Sequence, residues 1–218
     1  GVALKLDPDT HRLTADFPFN AVAFSRFCPD CLSESDGRWQ LTWRLGWKFA
    51  CTRHNSLLSD ECPKCGKHQH KDQVFKEPPM PASCRCGFDL RTTSMEKLSI
   101  AHPILQAQQR VHELIFGGFT SFGVFEEMRI ALVDVLTTIR SLANRVLAFA
   151  AVEGLASVTA AEVPRWVDRV ERTTRPLLVR NAVNNRVPWR AVDTAVGVTA
   201  ALSILNTATI LPAGVFSR

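Results

Sequence analysis

Eight residues of this chain can act as soft or borderline metal ligands: Cys28, Cys31, Cys51, His54, Cys62, Cys65, Cys84 and Cys86. They read C-x2-C, then 19 residues to C-x2-H, 7 more to C-x2-C, and 18 to C-x-C. Zinc accepts thiolate and imidazole alike in a four-coordinate shell, and a two-residue gap lets two donors of one tight turn converge on a single ion. Eight donors fill two tetrahedra, which predicts two zinc ions (Zn2+). Filled shells leave no position for water or substrate, so both ions are expected to be structural. Pro29 and Pro63 follow the first cysteine of their pairs and stiffen the start of each knuckle. Gly66 and Gly87 follow the last and accept the positive φ expected there. Pairing the ligands in sequence, first pair with second and third with fourth, gives loops of similar length and is preferred. The cross-braced alternative, first with third and second with fourth, is also compatible with the spacing. His68 and His70 are read as a solvated pair outside the metal sites.

All seven cysteines lie between Cys28 and Cys86, an odd number in close pairs that suits metal ligation in a reducing compartment better than a disulfide framework. With no secretory signal at the start of the given sequence, the expected location is cytoplasmic. Thiolate ligation also changes the charge count. The formal net charge of +5 falls to +2 once seven thiolates and two dications are included, so overall basicity says little about a nucleic-acid partner and only local clusters can carry that reading.

Three segments must position these ligands: residues 1–27 as a lead-in, 28–91 as a two-zinc module, and 100–218 as a helical domain. The fold class is α+β, a small zinc-organised module of two zinc ribbons or fingers followed by an all-α domain. Every lysine lies at or before Lys97, and beyond it arginine is the only strong base. The lead-in opens at Gly1 and reads as the trimmed edge of a longer protein. The run Arg38 to Phe49 suits β-hairpin arms, and the proline-rich stretch 67–83 suits an excursion between ligand pairs. Pro103 at a first helical turn, with Ile104, Val111, Leu114 and Ile115 on one face, predicts a helix over 103–116, broken by the glycines from Gly117 to Gly123. A long amphipathic helix is predicted over 124–152, another over 160–174 behind the capping box of Thr159 and Glu162, and an apolar terminal helix over 188–205. That last helix is read as buried, not as a membrane span. Because the ligands are confined to the first half, the division also predicts a helical tail that keeps its fold when a metal ligand is lost.

Two clusters could meet nucleic acid. Arg38, Trp39, Trp43, Arg44, Trp47 and Lys48 interleave bases with aromatics, although in a small zinc fold such aromatics more often form the core. Arg165, Arg169 and Arg172 form a helical stripe, with Arg175 beyond it; residues 160–190 carry seven arginines against three acids. That density suits phosphate contact, and a solvated helix face explains it about as well. There is no phosphate loop of the Walker type and no recognisable carboxylate pair, so neither an enzyme nor a small-molecule substrate is expected.

The stretch RFCPDCLSESDGRWQLTWRLGWKFACTRHNSLLSDECPKCG, followed by CRCGFDLR, resembles the TniQ family of bacterial transposition proteins over about residues 26–91. The resemblance takes in Trp39-x3-Trp43, the Cys-x2-His followed by Leu57 and Leu58, and the closing CRCG-x-DL. It implies a target-selection adaptor that binds target DNA, or a guide complex, and recruits a TnsC/TniB-like AAA+ transposition ATPase, doing no chemistry itself. Family members usually carry a helical DNA-binding region before the first zinc site, where this chain has 27 residues. The rival readings are a zinc-organised DNA-binding regulator and a protein-docking module, both unrelated to transposition.

Overall fold

The computed structural model describes residues 24–69, 81–118, 121–126, 130–149 and 190–207. The described chain combines short helices and a two-stranded antiparallel sheet around the cysteines with longer helices after residue 100. Helix α1 (Pro29–Glu34) starts on the first knuckle itself: Cys28 is its extended N-cap, Pro29 takes the first helical position and Asp30 lies in the first turn. Proline there gives up an N–H that would have had no partner, and the acid faces the positive end of the helix. The strands β1 (Ala50–Cys51) and β2 (Ser56–Leu57) pair Ala50 with Leu57 and Cys51 with Ser56. Their loop carries His54, and Asn55 turns the chain back at φ 51°.

The run Arg38 to Phe49 does not form hairpin arms. Leu41–Arg44 is a single 3-10 turn, and the strand begins only at Ala50. Burial still alternates along the run, with Trp43, Leu45, Trp47 and Phe49 inside and Arg44 exposed between them, but the carbonyls of Trp43, Gly46 and Lys48 accept from the backbone and side chain of Arg26 and not from a partner strand. Trp39 packs edge-on against Trp43 and Phe27, with ring centroids 5.7 and 5.9 Å apart. Arg38 and Arg44 point to solvent.

Helix α2 (Pro103–His112) begins at Pro103 with His102 as N-cap, its ring nitrogen accepting from the Ile104 N–H at 3.3 Å. It continues as a π-helical turn over Glu113–Gly117 and stops at Gly118, which is left-handed at φ 69°. Helix α3 (Leu132–Phe149) starts later than the hydrophobic period suggests. Gly123–Phe125 is instead a 3-10 turn, with Gly123 at φ 49°. A Cβ on Gly123 would lie 2.1 Å from the Leu205 carbonyl oxygen, so this turn seats directly under the end of the last helix. Helix α4 (Ala191–Thr207) is buried almost all round, packing against α3, α2 and the Gly123 turn. A helix apolar on every side belongs in a core or a membrane; here the neighbours supply the core, and among the described residues no helix is long and apolar enough to cross a membrane. The helix predicted over 160–174 lies outside the described residues.

One hydrophobic cluster runs from Phe27 and Trp43 through Ile104 and Leu136 to Leu205. Among the described residues, Gln108, Arg26 and Asp60 tie the cysteine-bearing part to the helices by hydrogen bonds. Gln108 of α2, fully buried, accepts with Oε1 from the Phe49 N–H at 2.8 Å and the Ala50 N–H at 3.0 Å. Arg26, also fully buried, donates to Asp60, to the carbonyls of Gly46 and Lys48, and to Thr194 of α4.

Candidate metal centres

Helix α1 delivers two donors of the first cluster, Cys28 at its cap and Cys31 inside it, and the β1–β2 hairpin delivers Cys51 and His54. His54 Nδ1 lies 3.5, 3.2 and 3.5 Å from the sulfurs of Cys28, Cys31 and Cys51, and Cys31 Sγ lies 3.6 Å from Cys51 Sγ. In the second cluster Cys62 Sγ is 3.8 Å from Cys86 Sγ and Cys65 Sγ is 3.6 Å from Cys84 Sγ. Within each cluster all four donor atoms fall within 4.8 Å of one another. These separations far exceed a disulfide bond of about 2.05 Å, and all seven thiols are free. A zinc tetrahedron with Zn–S of about 2.3 Å and Zn–N of about 2.0–2.1 Å has S···S edges of about 3.8 Å and S···N edges of about 3.5 Å. The donors fit that figure, and they are grouped in sequence, not cross-braced.

Local backbone geometry explains the second site. The Gly66 N–H donates to the Cys62 carbonyl at 2.8 Å and the Gly87 N–H to the Cys84 carbonyl at 2.8 Å, closing two knuckles that end at φ 66° and 79°. Only glycine adopts that conformation at little cost. Gln69, buried, donates from Nε2 to the Lys67 carbonyl at 2.7 Å and towards Cys84 Sγ at 3.6 Å. Sequence reasoning missed Gln69, because nothing in a lone polar residue after a knuckle marks it as facing a sulfur.

Crowding three thiols drives their acidities apart. Hydrogen bonding from Cys28 pulls the Cys51 thiol down to about 4, whereas burial pushes Cys31 up to about 11. A dication that deprotonates the thiols it binds removes that conflict. Lys48, read from the sequence as a candidate nucleic-acid contact, is half-buried beside this cluster. Burial pulls its ammonium below the usual range, opposed by Cys51, Cys31 and Cys28. Lys97 donates to Asp30 and, at 3.2 Å, to the His54 carbonyl. His68 joins neither cluster: its ring stacks on Phe24 at 3.9 Å, with Nδ1 3.1 Å from the Asp60 carbonyl. Arg165, Arg169, Arg172, Arg175 and His70 lie outside the described residues.

The described chain is thus a small protein with two clusters that could hold metal, one of three cysteines and a histidine and one of four cysteines, packed against helices. The TniQ family model matches residues 7–58. The match confirms the resemblance over a different span: it reaches upstream to residue 7, includes Cys28, Cys31, Cys51 and His54, and ends before Cys62. No curated protein and no solved structure matches the chain.

Proposed function

We propose that this chain is a TniQ-like adaptor for DNA transposition. It binds target DNA or a targeting complex and recruits an AAA+ transposition ATPase, with two structural zinc ions holding its docking surface. The observation that carries this reading is the coincidence of the TniQ match with a cluster of three cysteines and a histidine whose donor spacings fit a zinc tetrahedron. In this reading Cys28, Cys31, Cys51 and His54 hold one ion, Cys62, Cys65, Cys84 and Cys86 the other, residues 28–91 form the metal module and residues 100–218 the helical part. Filled shells give the ions no catalytic role, which supports a protein that acts by binding and not as an enzyme; seven free thiols support a reducing, cytoplasmic location. Phosphate contacts are assigned first to Arg165, Arg169, Arg172 and Arg175, and second to the solvent-facing Arg38 and Arg44.

The test is co-purification of the full chain with the AAA+ ATPase of the same element, alongside duplex DNA binding at several salt concentrations. A stable complex, lost on replacing Cys51 by Ser, is expected. DNA affinity should fall steeply with salt, and replacing Arg165, Arg169 and Arg172 by Gln should flatten that slope by up to about three units. DNA binding with no ATPase complex would favour the rival reading as a DNA-binding regulator. Neither activity would leave a protein-docking module.

A further inference from the structure

The two clusters differ in a way the ligand count does not show. His54 turns Nδ1 to the three sulfurs of its site, and its other nitrogen, Nε2, lies 2.9 Å from Glu34 Oε1. Glu34 is the last residue of α1, the same short helix that carries Cys31 and is capped by Cys28. Its second oxygen, Oε2, accepts from Arg53 Nη2 at 2.9 Å, and Arg53 precedes His54 in the hairpin loop. The carboxylate is therefore held at both oxygens by neighbours in the element it faces. Three residues apart on α1, Cys31 and Glu34 share one side of the helix.

We propose that Glu34 is a positioning residue of the first metal centre, accepting a hydrogen bond from His54 Nε2–H and so fixing the imidazole with its Nδ1 lone pair on the side of Cys28, Cys31 and Cys51. A neutral imidazole carries its proton on one nitrogen and its lone pair on the other, so an acceptor at Nε2 selects the tautomer that can ligate through Nδ1. A carboxylate behind a ligating histidine also raises its basicity, and losing such a partner costs roughly 10- to 100-fold in metal affinity. The second cluster, all cysteine, has no histidine to orient and serves as an internal control.

The inference rests on the reading of the clusters as metal centres, and the experiment separates the two. The full chain is titrated with cobalt(II) and with zinc against a competing chelator, resolving the histidine-containing site from the all-cysteine site by their cobalt absorption. Two ions on the wild-type chain establish the centres; no ion at the first site overturns the metal reading and this inference with it. Glu34→Ala is expected to weaken the first site by roughly 10- to 100-fold while the second is unchanged. Glu34→Gln, whose amide oxygen still accepts from Nε2–H, should recover most of the loss, and Arg53→Ala should cost less than Glu34→Ala. First-site affinity unchanged in Glu34→Ala, or an equal loss at both sites, overturns the role. So does a nitrogen NMR spectrum showing His54 protonated at Nδ1 in the metal-loaded wild type.

Discussion

Arg26, with no exposed surface, donates from Nε to Asp60 Oδ1 at 3.1 Å, while Asp60 Oδ2 accepts the Ala191 N–H at 2.7 Å. Asp60 lies between the two cysteine clusters in sequence, and Ala191 opens α4, so one carboxylate joins the cysteine-bearing part to the first turn of that helix. The position is electrostatically apt, since a helix N-terminus carries unpaired N–H groups and a partial positive charge. The pair itself is costly. Burial pulls Arg26 down and pushes Asp60 up, each against the attraction of the other. Such an ion pair specifies an arrangement more than it stabilises one.

Breaking the pair from one side should therefore be severe. Arg26→Met leaves Asp60 buried without its cation and is expected to cost about 3–5 kcal/mol. Arg26→Met combined with Asp60→Leu should cost less than the sum of the two single changes, since neither charge is then stranded. Denaturant titrations of the four proteins in a double-mutant cycle give the coupling; additive effects would show that the pair is not energetically linked.

Removing metal should unfold the helices together with the clusters. The sequence predicts a tail that survives loss of a ligand, whereas the shared buried core favours the opposite outcome. Cys51 sits in β1, whose neighbours Phe49 and Ala50 are fixed by Gln108 of α2, and the buried cluster continues into α4. Structural zinc is worth about 10 kcal/mol or more in small finger peptides, comparable with the whole stability of a domain. With Cys51→Ser, or under strong chelator, helical circular dichroism should be lost and the emission of buried Trp43 and Trp47 should shift to the red together, in one transition. A helical signal that persists after the tryptophan emission has shifted would restore the independent tail.

The two donor clusters were legible because coordination chemistry calls for fixed residue types at short spacings, and Gly66 and Gly87 because a positive φ narrows the choice of residue. The starts of α2 and, within three residues, of α4 were legible from Pro103 and from an apolar run. The hairpin misreading of Arg38 to Phe49 arose because the apolar residues Trp43, Leu45, Trp47 and Phe49 do alternate, while Arg26, which takes the carbonyls a neighbouring strand would have taken, leaves no mark on that period. Arg26, Gln108, Asp60 and Glu34 were invisible for a different reason. Each is a polar residue whose partner lies 20 or more positions away, and periodicity carries no information about such a partner.

Gln108 tests the second tie between the halves. Its Oε1 accepts from the N–H of Ala50, in the strand that carries Cys51, and from that of Phe49 just before it, whereas its Nε2 has no hydrogen-bond partner among the described residues. Gln108→Leu keeps the volume but strands both donors, and a buried donor left unsatisfied costs roughly 1–3 kcal/mol. The midpoint of denaturant unfolding measures the loss, and no change would mean that water reaches Phe49 N and Ala50 N once the amide is gone.

Helices α3 and α4 approach closely at Gly197. A Cβ built there would lie 2.9 Å from Leu147 Cδ1 and 3.2 Å from Ala143 Cβ, so the two helices meet where one side chain is a hydrogen and another a methyl. Glycine in a helix interior costs roughly 1 kcal/mol relative to alanine, and its use in α4 has to be offset by contact. Val196 and Val198 on α4 and Ile139 and Ala143 on α3 are buried, and the two helices pack against each other. Gly197→Val adds a branched side chain that cannot swing away within a helix, and because Ala143 Cβ has no torsion to relieve the clash, the helices must part. Overpacking of this kind costs about 1–3 kcal/mol. Thermal unfolding of the full metal-loaded chain should show a lower midpoint for Gly197→Val, and Gly197→Val with Leu147→Ala should recover part of it by clearing the nearer atom. Equal stability of Gly197→Val and wild type would show that α3 and α4 pack more loosely than the Gly197–Ala143 contact requires.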